Sequence, residues 1–476
     1  MSDLTRAAQL ADTANYSDLS DPDLLEIERE YCSHGDTVHY VDEPKIFDRC
    51  EGSFMYDREG NSFLDLQMWY SAVNFGYANQ RLNQSVKDQL DRLPQVASQY
   101  LHREKVELAA RLGRYNEKTF ATKGRVHFNV GGAQAVEDSL KVVRNASKGK
   151  SLMFAFEGGY HGRTLGASAI TSSYRYRRRY GHFGDRAQFV PFPYCFRCPY
   201  GKKREDCGLY CVEQFARLFD TEYYGVWDPK AGESEYAAFY VEAIQGTGGY
   251  VVPPPGYFER LKEILEARKI LMVDDEIQMG FYRAGKFWAI ENFNVKPDVI
   301  VFGKAVTNGL NPLSGIWARE ELINPQIFPP GSTHSTFSSN SLGTAAALET
   351  IKGKGYQPMA ADEGQGYPYN FFYVASYWWV QQNGFDPILA EDAGNGNFAD
   401  DKALLAALHA YQDLYTKGYL NQDAATSADS WNKFLAGEVA MIPNGSFGVK
   451  DAQDALGAEN VGAILPPNIS ADAKIK

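Results

Sequence analysis

Two segments decide the fold of this chain: KILMVDDEIQMG at residues 269–280 and DVIVFGKAVTNG at residues 298–309. Each contains a run of four apolar residues, the length of a short buried strand, and then turns polar. Similar apolar runs occur upstream at 126–130, 151–156 and 237–244, with helical segments between several of them. Strands that alternate with helices predict an α/β domain with a mostly parallel central sheet.

The ends of these runs carry the candidate chemistry. Asp275 follows ILMV, and Lys304 follows VIVF after Gly303. Because parallel sheets bind ligands at the C-terminal ends of their strands, both side chains are expected at one edge. The glycine turn Asn129–Ala133, between a strand and a helix, offers backbone amides to a phosphate. Taken singly, the acid is as well explained by a cap, and the lysine by a solvated side chain.

Together these features meet the needs of one cofactor, pyridoxal phosphate (PLP). PLP needs a lysine for its aldehyde, a carboxylate that keeps the ring nitrogen protonated, an aromatic side chain on the ring face and a phosphate-binding turn. Tyr160, in the Tyr-His-Gly segment 160–162, supplies the aromatic group, and His334-Ser-Thr336-Phe is a further polar loop. The set therefore predicts a PLP site.

From about residue 47 to residue 351, the sequence resembles the class III (omega, or subgroup II) aminotransferases of PLP fold type I. The matching segments include NVGGAQAVEDSLK, YHGRTLGASAIT, VEAIQGTGGYVVPPPGYFERL, VDDEIQMGFYRAGKFWA, FGKAVTNGLNPLSG and HSTFSSNSLGTAAALE. The resemblance implies PLP-dependent transfer of an amino group from an amino acid or amine to a keto acid or aldehyde. It also implies small amine and carbonyl substrates and a homodimer.

The resemblance assigns roles to particular residues. Lys304 and Asp275 are the expected catalytic pair: Lys304 binds the cofactor aldehyde and acts as general base, and Asp275 pairs with the ring nitrogen. The other expected cofactor contacts are Gly132 and Ala133 at the phosphate, Tyr160 on the ring, Glu242, Gln278 near the ring hydroxyl, and Thr336, which reaches the phosphate of the neighbouring subunit. Trp69 and Tyr70 are candidate walls of the substrate pocket, although an aromatic cluster is more often plain core.

The resemblance leaves a second type of reaction open. A racemase or epimerase on the same fold would reprotonate the substrate α-carbon from the opposite face. The sequence also departs from the family twice. Thr247 stands where the family more often has a glutamate, and no arginine follows Arg319, although family members usually place a carboxylate-binding arginine in their small C-terminal domain.

The pattern changes at about Lys352. GYQPMAADEGQGYPYNFFYVASYWW and WNKFLAGEVAMIPNGSFG resemble an interior part of an extracellular solute-binding protein of a carbohydrate ABC transporter. The chain is therefore predicted as an N-terminal segment (1–95), a PLP-binding large domain (96–351) and an atypical α/β solute-binding-like segment (352–476) in place of the small domain. Such a chimera could be catalytically impaired, and a divergent small domain is the alternative. Engineering, gene fusion and sequence error explain the junction equally well.

Composition narrows the classes of function. A length of 476 residues allows two or three domains, and a formal charge of −12 disfavours nucleic acid and anionic membranes as partners. The first thirty residues lack the apolar core of a secretory signal, and Phe371–Val380 is far too short to span a bilayer. We therefore expect a cytoplasmic enzyme with no membrane partner.

Four of the six cysteines are close together in the sequence, as Cys195-x2-Cys198-x8-Cys207-x3-Cys211. This spacing has the local pairing of a zinc site. Free thiols in a loop insertion are the preferred interpretation, because the spacing is compressed and the predicted chemistry needs no metal. No metal ligand is therefore predicted.

Overall fold

The computed structural model describes residues 5–12, 15–35, 44–177, 187–220 and 225–352, the single residues 39, 41, 180 and 223, and, in the C-terminal quarter, residues 357–359, 409, 412, 430–435, 439–441, 449–457 and 461. The chain divides into two compact units, Met1–Ile351 and Lys352–Lys476. The prediction of three parts, 1–95, 96–351 and 352–476, stays a prediction. None of the helices in these described ranges is both long enough and apolar enough to cross a membrane.

The first unit begins with α1 (Arg6–Ala11) and α2 (Asp21–Tyr31). Ser20 accepts a hydrogen bond from the backbone N–H of Asp23, whose side chain accepts one from Ser20 N–H in return, and this capping box fixes the start of α2. An antiparallel three-stranded sheet follows, with β1 (Phe47–Glu51), β2 (Phe54–Asp57) and β3 (Ser62–Leu64).

The remaining elements of the first unit are nine α-helices and seven strands among the described residues. The helices are α3 (Met68–Ser71), α4 (Gln80–Arg92), α5 (Arg103–Phe120), α6 (Gly132–Ala146), α7 (Leu165–Ile170), α8 (Tyr210–Ala216), α9 (Tyr257–Ala267), α10 (Glu320–Ile323) and α11 (Ser341–Lys352). The strands are β4 (Gly124–Asn129), β5 (Leu152–Phe156), β6 (Ala187–Val190), β7 (Tyr236–Val241), β8 (Leu271–Asp275), β9 (Val299–Phe302) and β10 (Ser314–Arg319).

These seven strands form one sheet, in the order β4-β10-β9-β8-β7-β5-β6 among the described residues. Strand β10 runs antiparallel to both of its neighbours, and the other pairs are parallel. The predicted α/β fold with a mostly parallel sheet is confirmed.

Apolar clusters cover both faces of the sheet, which explains why its strands read as continuous apolar runs. One cluster contains Met272, Trp288 and Phe302, and the other contains Val136 and Val273. Since Met272 and Val273 are neighbours, successive side chains of β8 point to opposite faces. The same alternation decides where the acids at the end of β8 point.

The described part of the second unit contains β11 (Gln357–Met359), α12 (Ser430–Leu435), β12 (Val439–Met441) and α13 (Val449–Leu456). Strands β11 and β12 pair in parallel. Most of the segment that resembles a solute-binding protein, including Asn444–Phe447, lies outside the described residues. That assignment stays a prediction.

Candidate active site

A cavity of about 300 Å³ lies at the edge of the sheet where the parallel strands end. Asp275 is the last residue of β8, Glu242 follows β7 directly, and Lys304 comes two residues after β9. Seven of the residues predicted from the sequence line this cavity: Gly132, Ala133, Tyr160, Glu242, Asp275, Gln278 and Lys304. The fold therefore gathers side chains that are up to 172 residues apart in the chain.

Lys304 begins a 3₁₀ turn, Lys304–Thr307, and has a left-handed φ of 46°. Few residues other than glycine adopt this conformation, and it is common at functional sites. Burial lowers the pKa of Lys304, and the nearby Arg283 lowers it further, against the opposing charges of Asp275 and Glu242. A lowered pKa leaves more neutral amine at neutral pH, and the neutral amine is the nucleophilic form.

Asp275 is paired with His161. Nδ1 of His161 lies 2.8 Å from Oδ2 of Asp275, and both side chains are buried. Burial alone would lower the pKa of His161, but the hydrogen bond and charge of Asp275, together with the charge of Glu242, raise it. The other Asp275 oxygen accepts a hydrogen bond from the backbone N–H of Ile277 at 3.1 Å. His161 and the backbone N–H of Ile277 thus fix the positions of both oxygens of Asp275.

Glu242 binds backbone rather than another side chain. It accepts hydrogen bonds from the N–H groups of Tyr160 at 2.9 Å and Gly246 at 3.0 Å. Burial is the largest influence on its pKa and raises it. Glu242 therefore ties the loop that carries Tyr160 and His161 to the end of β7.

An aromatic and cationic group forms one wall. The rings of Tyr160 and Tyr176 meet edge-to-face with centroids 5.1 Å apart, and the guanidinium of Arg163 lies 4.6 Å from the centre of the Tyr176 ring. Burial lowers the pKa of Arg163, but its interactions with Tyr160 and Tyr176 raise it overall. Arg163 and His161 also line the cavity, and the sequence reasoning missed both. Both residues are within three positions of Tyr160 in the segment YHGR, and this proximity could have indicated that they line the same site.

The N-terminus of α6 faces the same cavity through Gly132 and Ala133. No side chain caps this 15-residue helix at its N-cap, Gly131. The first N–H groups of the helix are therefore available to an anion. Close packing keeps the loops near this end: a Cβ on Gly162 would lie 2.6 Å from the Cβ of Ala133. An uncapped helix end of this kind fits a phosphate.

Gln278 also lines the cavity. Its side-chain amide donates to the hydroxyl of Tyr250 at 3.3 Å and to Ser71 Oγ at 3.4 Å. Ser71 ends α3, whose four residues, Met68–Ser71, all have left-handed φ values between 48° and 66°. Arg283 donates to the carbonyl of Ser71 at 3.4 Å and also binds Asn74. These contacts connect the cavity wall to the left-handed turn.

Three predicted residues do not line this cavity. Trp69 and Tyr70 are half-exposed in the left-handed turn, and the Trp69 ring packs so closely over Gly309 that a Cβ there would lie 2.7 Å from it. Thr336 is exposed in the loop that contains His334. Their assigned roles at the substrate and at a neighbouring subunit stay predictions.

The four clustered cysteines, Cys195, Cys198, Cys207 and Cys211, line a separate cavity of about 20 Å³. All are free thiols. Burial raises the pKa of Cys195, and it raises that of Cys211 to about 11. Within the part of the chain that the structure describes, no three His, Cys, Asp or Glu side chains are arranged to hold a metal ion. The expectation that no metal binds here stays a prediction.

This arrangement defines a PLP-dependent enzyme of fold type I, and PLP is its cofactor. The chain belongs to the class III aminotransferase family, because the family model "Aminotransferase class-III" matches residues 38–356. The predicted family and cofactor are thus confirmed. The family match gives no support to a solute-binding part or a chimera.

Curated relatives divide between two activities. The chain is 34% identical over 335 residues to the alanine/serine racemase of Pyrococcus horikoshii, covering 69% of this chain and 67% of that protein. It is 31% identical over 331 residues to the ornithine aminotransferase of Brevibacillus brevis, covering 67% and 71% respectively. The family relationship therefore supports an aminotransferase or a racemase.

Solved structures show the same fold. An (S)-enantioselective omega-transaminase from Thermomicrobium roseum matches with a TM-score of 0.63 and 26% identity, covering 70% of this chain and 75% of that one. A taurine:2-oxoglutarate aminotransferase from Bifidobacterium kashiwanohense, in complex with PLP and glutamate, matches with a TM-score of 0.62 and 26% identity, covering 70% and 73%.

Proposed function

We propose that this protein is an aminotransferase that takes its amino group from an α-amino acid. The observation that carries the proposal is the meeting of Lys304, the Asp275–His161 pair and the uncapped start of α6 in one cavity of about 300 Å³. When bound, PLP supplies an electron sink that makes the substrate α-proton acidic enough to remove.

The protein's own groups perform the other tasks. Lys304 would hold the cofactor through its aldehyde, and its free amine would move the proton at the substrate α-carbon. Asp275, paired with His161, would pair with the cofactor ring nitrogen and stabilise its proton. The backbone N–H groups of Gly132 and Ala133 would bind the phosphate, and Tyr160 would contact the ring.

Arg163 is our candidate for the substrate carboxylate. Arg163 lines the same cavity as Lys304, and its guanidinium lies 4.6 Å from the centre of the Tyr176 ring. Arginine binds carboxylates through charge-assisted hydrogen bonds, so a cation in this wall favours amino acids over simple amines. No arginine follows Arg319 in the sequence, so a small-domain arginine cannot bind the substrate carboxylate. Arg163, from the large domain, takes that role in this proposal.

A racemase is the second candidate, favoured by the 34% identity to an alanine/serine racemase. One experiment separates the two. The holoenzyme is incubated with L-ornithine or L-alanine without an acceptor, and 2-oxoglutarate is then added. Amino transfer predicts a shift of the cofactor absorbance to that of pyridoxamine phosphate, a carbonyl product and regeneration by 2-oxoglutarate. Formation of the D-enantiomer with no carbonyl product would replace transfer with racemisation.

The proposal of a sugar-binding C-terminal segment rests on sequence resemblance alone. It is tested by thermal unfolding of the holoenzyme with mono- and disaccharides, since a ligand of the folded state raises the midpoint. A midpoint that does not change at millimolar sugar removes that proposal.

A further inference from the structure

Two more carboxyl groups flank Asp275. Asp274 and Glu276 are both fully buried, with 0% exposure. Pairing with β9 continues through Glu276, whose N–H donates to the carbonyl of Val301 at 2.8 Å. Because side chains alternate along β8, Asp274 and Glu276 point to the face of Met272 while Asp275 points to the cofactor cavity. The pair therefore lies behind the cofactor site.

The surroundings of the pair supply few donors. Glu276 Oε1 accepts a hydrogen bond from the backbone N–H of Ile290 at 2.8 Å. Among the described residues, no donor outside the pair reaches Glu276 Oε2 or either oxygen of Asp274. Both residues are also absent from the ion pairs of the described chain. The largest charge effects on the pKa of Asp274 come from three acids, Glu276, Asp275 and Glu242, and all three raise it.

Because residues two apart on a strand point to the same face, Asp274 and Glu276 lie side by side, and a hydrogen bond between them raises the pKa of Asp274 and lowers that of Glu276. Two ionised carboxylates have no proton to share, and burying both without a donor would be strongly unfavourable. Burial and the charge of Glu276 raise the pKa of Asp274 well above its usual value. Burial raises the pKa of Glu276 to about 7, against the hydrogen bonds from Ala289, Asp274 and Ile290. The proton thus belongs on Asp274.

We propose that Asp274 is a carboxylic acid that donates its proton to Glu276, and that this pair is a positioning device for Asp275. The donated hydrogen bond joins the end of β8 to the segment Ala289–Phe293 through Glu276. It also limits the pair to one negative charge beside Asp275. The first half of the proposal depends on the protein alone; the second rests on the proposed role of Asp275.

The first test is infrared spectroscopy of the apoprotein at about pH 8, where ordinary carboxyl groups are ionised. We expect a carbonyl stretch of a protonated carboxylic acid that shifts in D2O and is lost in Asp274→Asn, since an amide can donate to Glu276 without holding that proton. The matched control is Asp298→Asn. Asp298 is also buried but pairs with Lys262 at 2.8 Å, so the band should remain.

The absence of this band in the wild-type apoprotein, or its survival in Asp274→Asn, would overturn the shared proton. Because this test contains no PLP, it is independent of the proposed function.

The second test follows the cofactor absorbance of the holoprotein against pH. In Asp274→Leu the donor is lost, so Glu276 takes up a proton itself and the negative charge beside Asp275 disappears. We expect the midpoint of the titration to fall by about one pH unit, and Asp274→Asn to restore it. Equal midpoints in all three proteins would limit the pair to a structural role and refute its action on Asp275. Failure of the proposed function would instead appear as unchanged cofactor labelling in Lys304→Ala.

Discussion

Nδ1 of His161 lies 2.8 Å from Oδ2 of Asp275, and 114 residues of chain separate the two. The contact joins the loop after β5 to the end of β8, two strands away in the sheet. It puts a histidine whose pKa is raised next to the acid that faces the cofactor cavity. The Asp275 carboxylate is thereby oriented before any ligand binds.

Replacing His161 by phenylalanine should weaken PLP retention by roughly 10- to 100-fold, the value of one hydrogen bond to a charged group.

The contribution of the His161–Asp275 pair to the free energy of unfolding should depend on pH. Because the pKa of His161 is raised on folding, this stabilisation is complete below about pH 6.5 and is lost as pH rises through the raised pKa.

Urea unfolding of wild type and His161→Phe, from acid to alkaline pH, measures this difference. His127→Phe is the control, because His127 pairs with Asp138 outside the cofactor cavity. A His161→Phe variant with a constant stability difference across the range would contradict the ion pair.

Lys304→Ala should abolish covalent cofactor attachment and reduce amino transfer by at least about 10³-fold, because both the nucleophile and the general base are lost. Absorption spectra before and after borohydride treatment, with mass spectrometry of the labelled peptide, measure this. Lys286→Ala, at an exposed lysine, is the control. Unchanged labelling of the Lys304 variant would refute the assignment.

Arg163→Gln should raise KM for α-amino acids by roughly 10- to 100-fold, since a charge-assisted hydrogen bond to the carboxylate is removed. The KM for a primary amine without a carboxylate should stay within about twofold, because that substrate makes no such bond. Steady-state kinetics with both substrate types provide the comparison. Equal losses for both would show that Arg163 supports the Tyr160–Tyr176 wall without contacting the carboxylate.

The acid pair predicts a second dependence on pH. The pKa of Glu276 is raised to about 7 and that of Asp274 is raised further. The folded pair therefore holds up to two protons more than the unfolded chain between about pH 4.5 and pH 7, and one more above about pH 7. Folding stability falls as pH rises wherever the folded state binds more protons.

Relative to the double variant Asp274→Asn/Glu276→Gln, which cannot titrate here, the wild-type free energy of unfolding should fall by about 1.4 kcal/mol per pH unit for each such proton. Denaturant unfolding at several pH values gives the slope. A flat difference would mean that both carboxyl groups titrate normally.

Thr336→Ala should lower PLP affinity roughly 10-fold in a dimeric protein, and Thr336→Ser should restore it, if the hydroxyl binds the phosphate of the neighbouring subunit. Light scattering and equilibrium PLP titration measure the two properties. A monomer that binds PLP with unchanged affinity after Thr336→Ala would refute both the shared site and the expected dimer.

The positions of Asp275 and Lys304 at strand ends could be predicted because the pattern that indicates them spans only a few consecutive residues. An apolar run followed by Asp275 or Lys304 combines burial with reactive chemistry in a few residues, and the parallel sheet then brings the two ends to one edge. The phosphate turn at Gly132 is local for the same reason. Family resemblance supplied the remaining cofactor contacts.

The contacts that escaped prediction are long-range. The pairing of His161 with Asp275 depends on how β5 and β8 are placed in the sheet, and the strand periodicity does not encode the antiparallel direction of β10. Trp69 and Tyr70 have left-handed φ values that neither residue favours by itself. Only the neighbouring chain segments impose them.

That left-handed turn has an energetic consequence. Trp69 and Tyr70 both have left-handed φ and ψ, and each costs about 1–2 kcal/mol relative to its right-handed form, so the two together cost about 2–4 kcal/mol. Arg283 donates a hydrogen bond to the Ser71 carbonyl, and Gly309 leaves room for the Trp69 ring, so both contacts stabilise this shape. The turn therefore stores conformational strain. A larger side chain at position 309 would clash with the Trp69 ring and let the turn relax to a right-handed conformation.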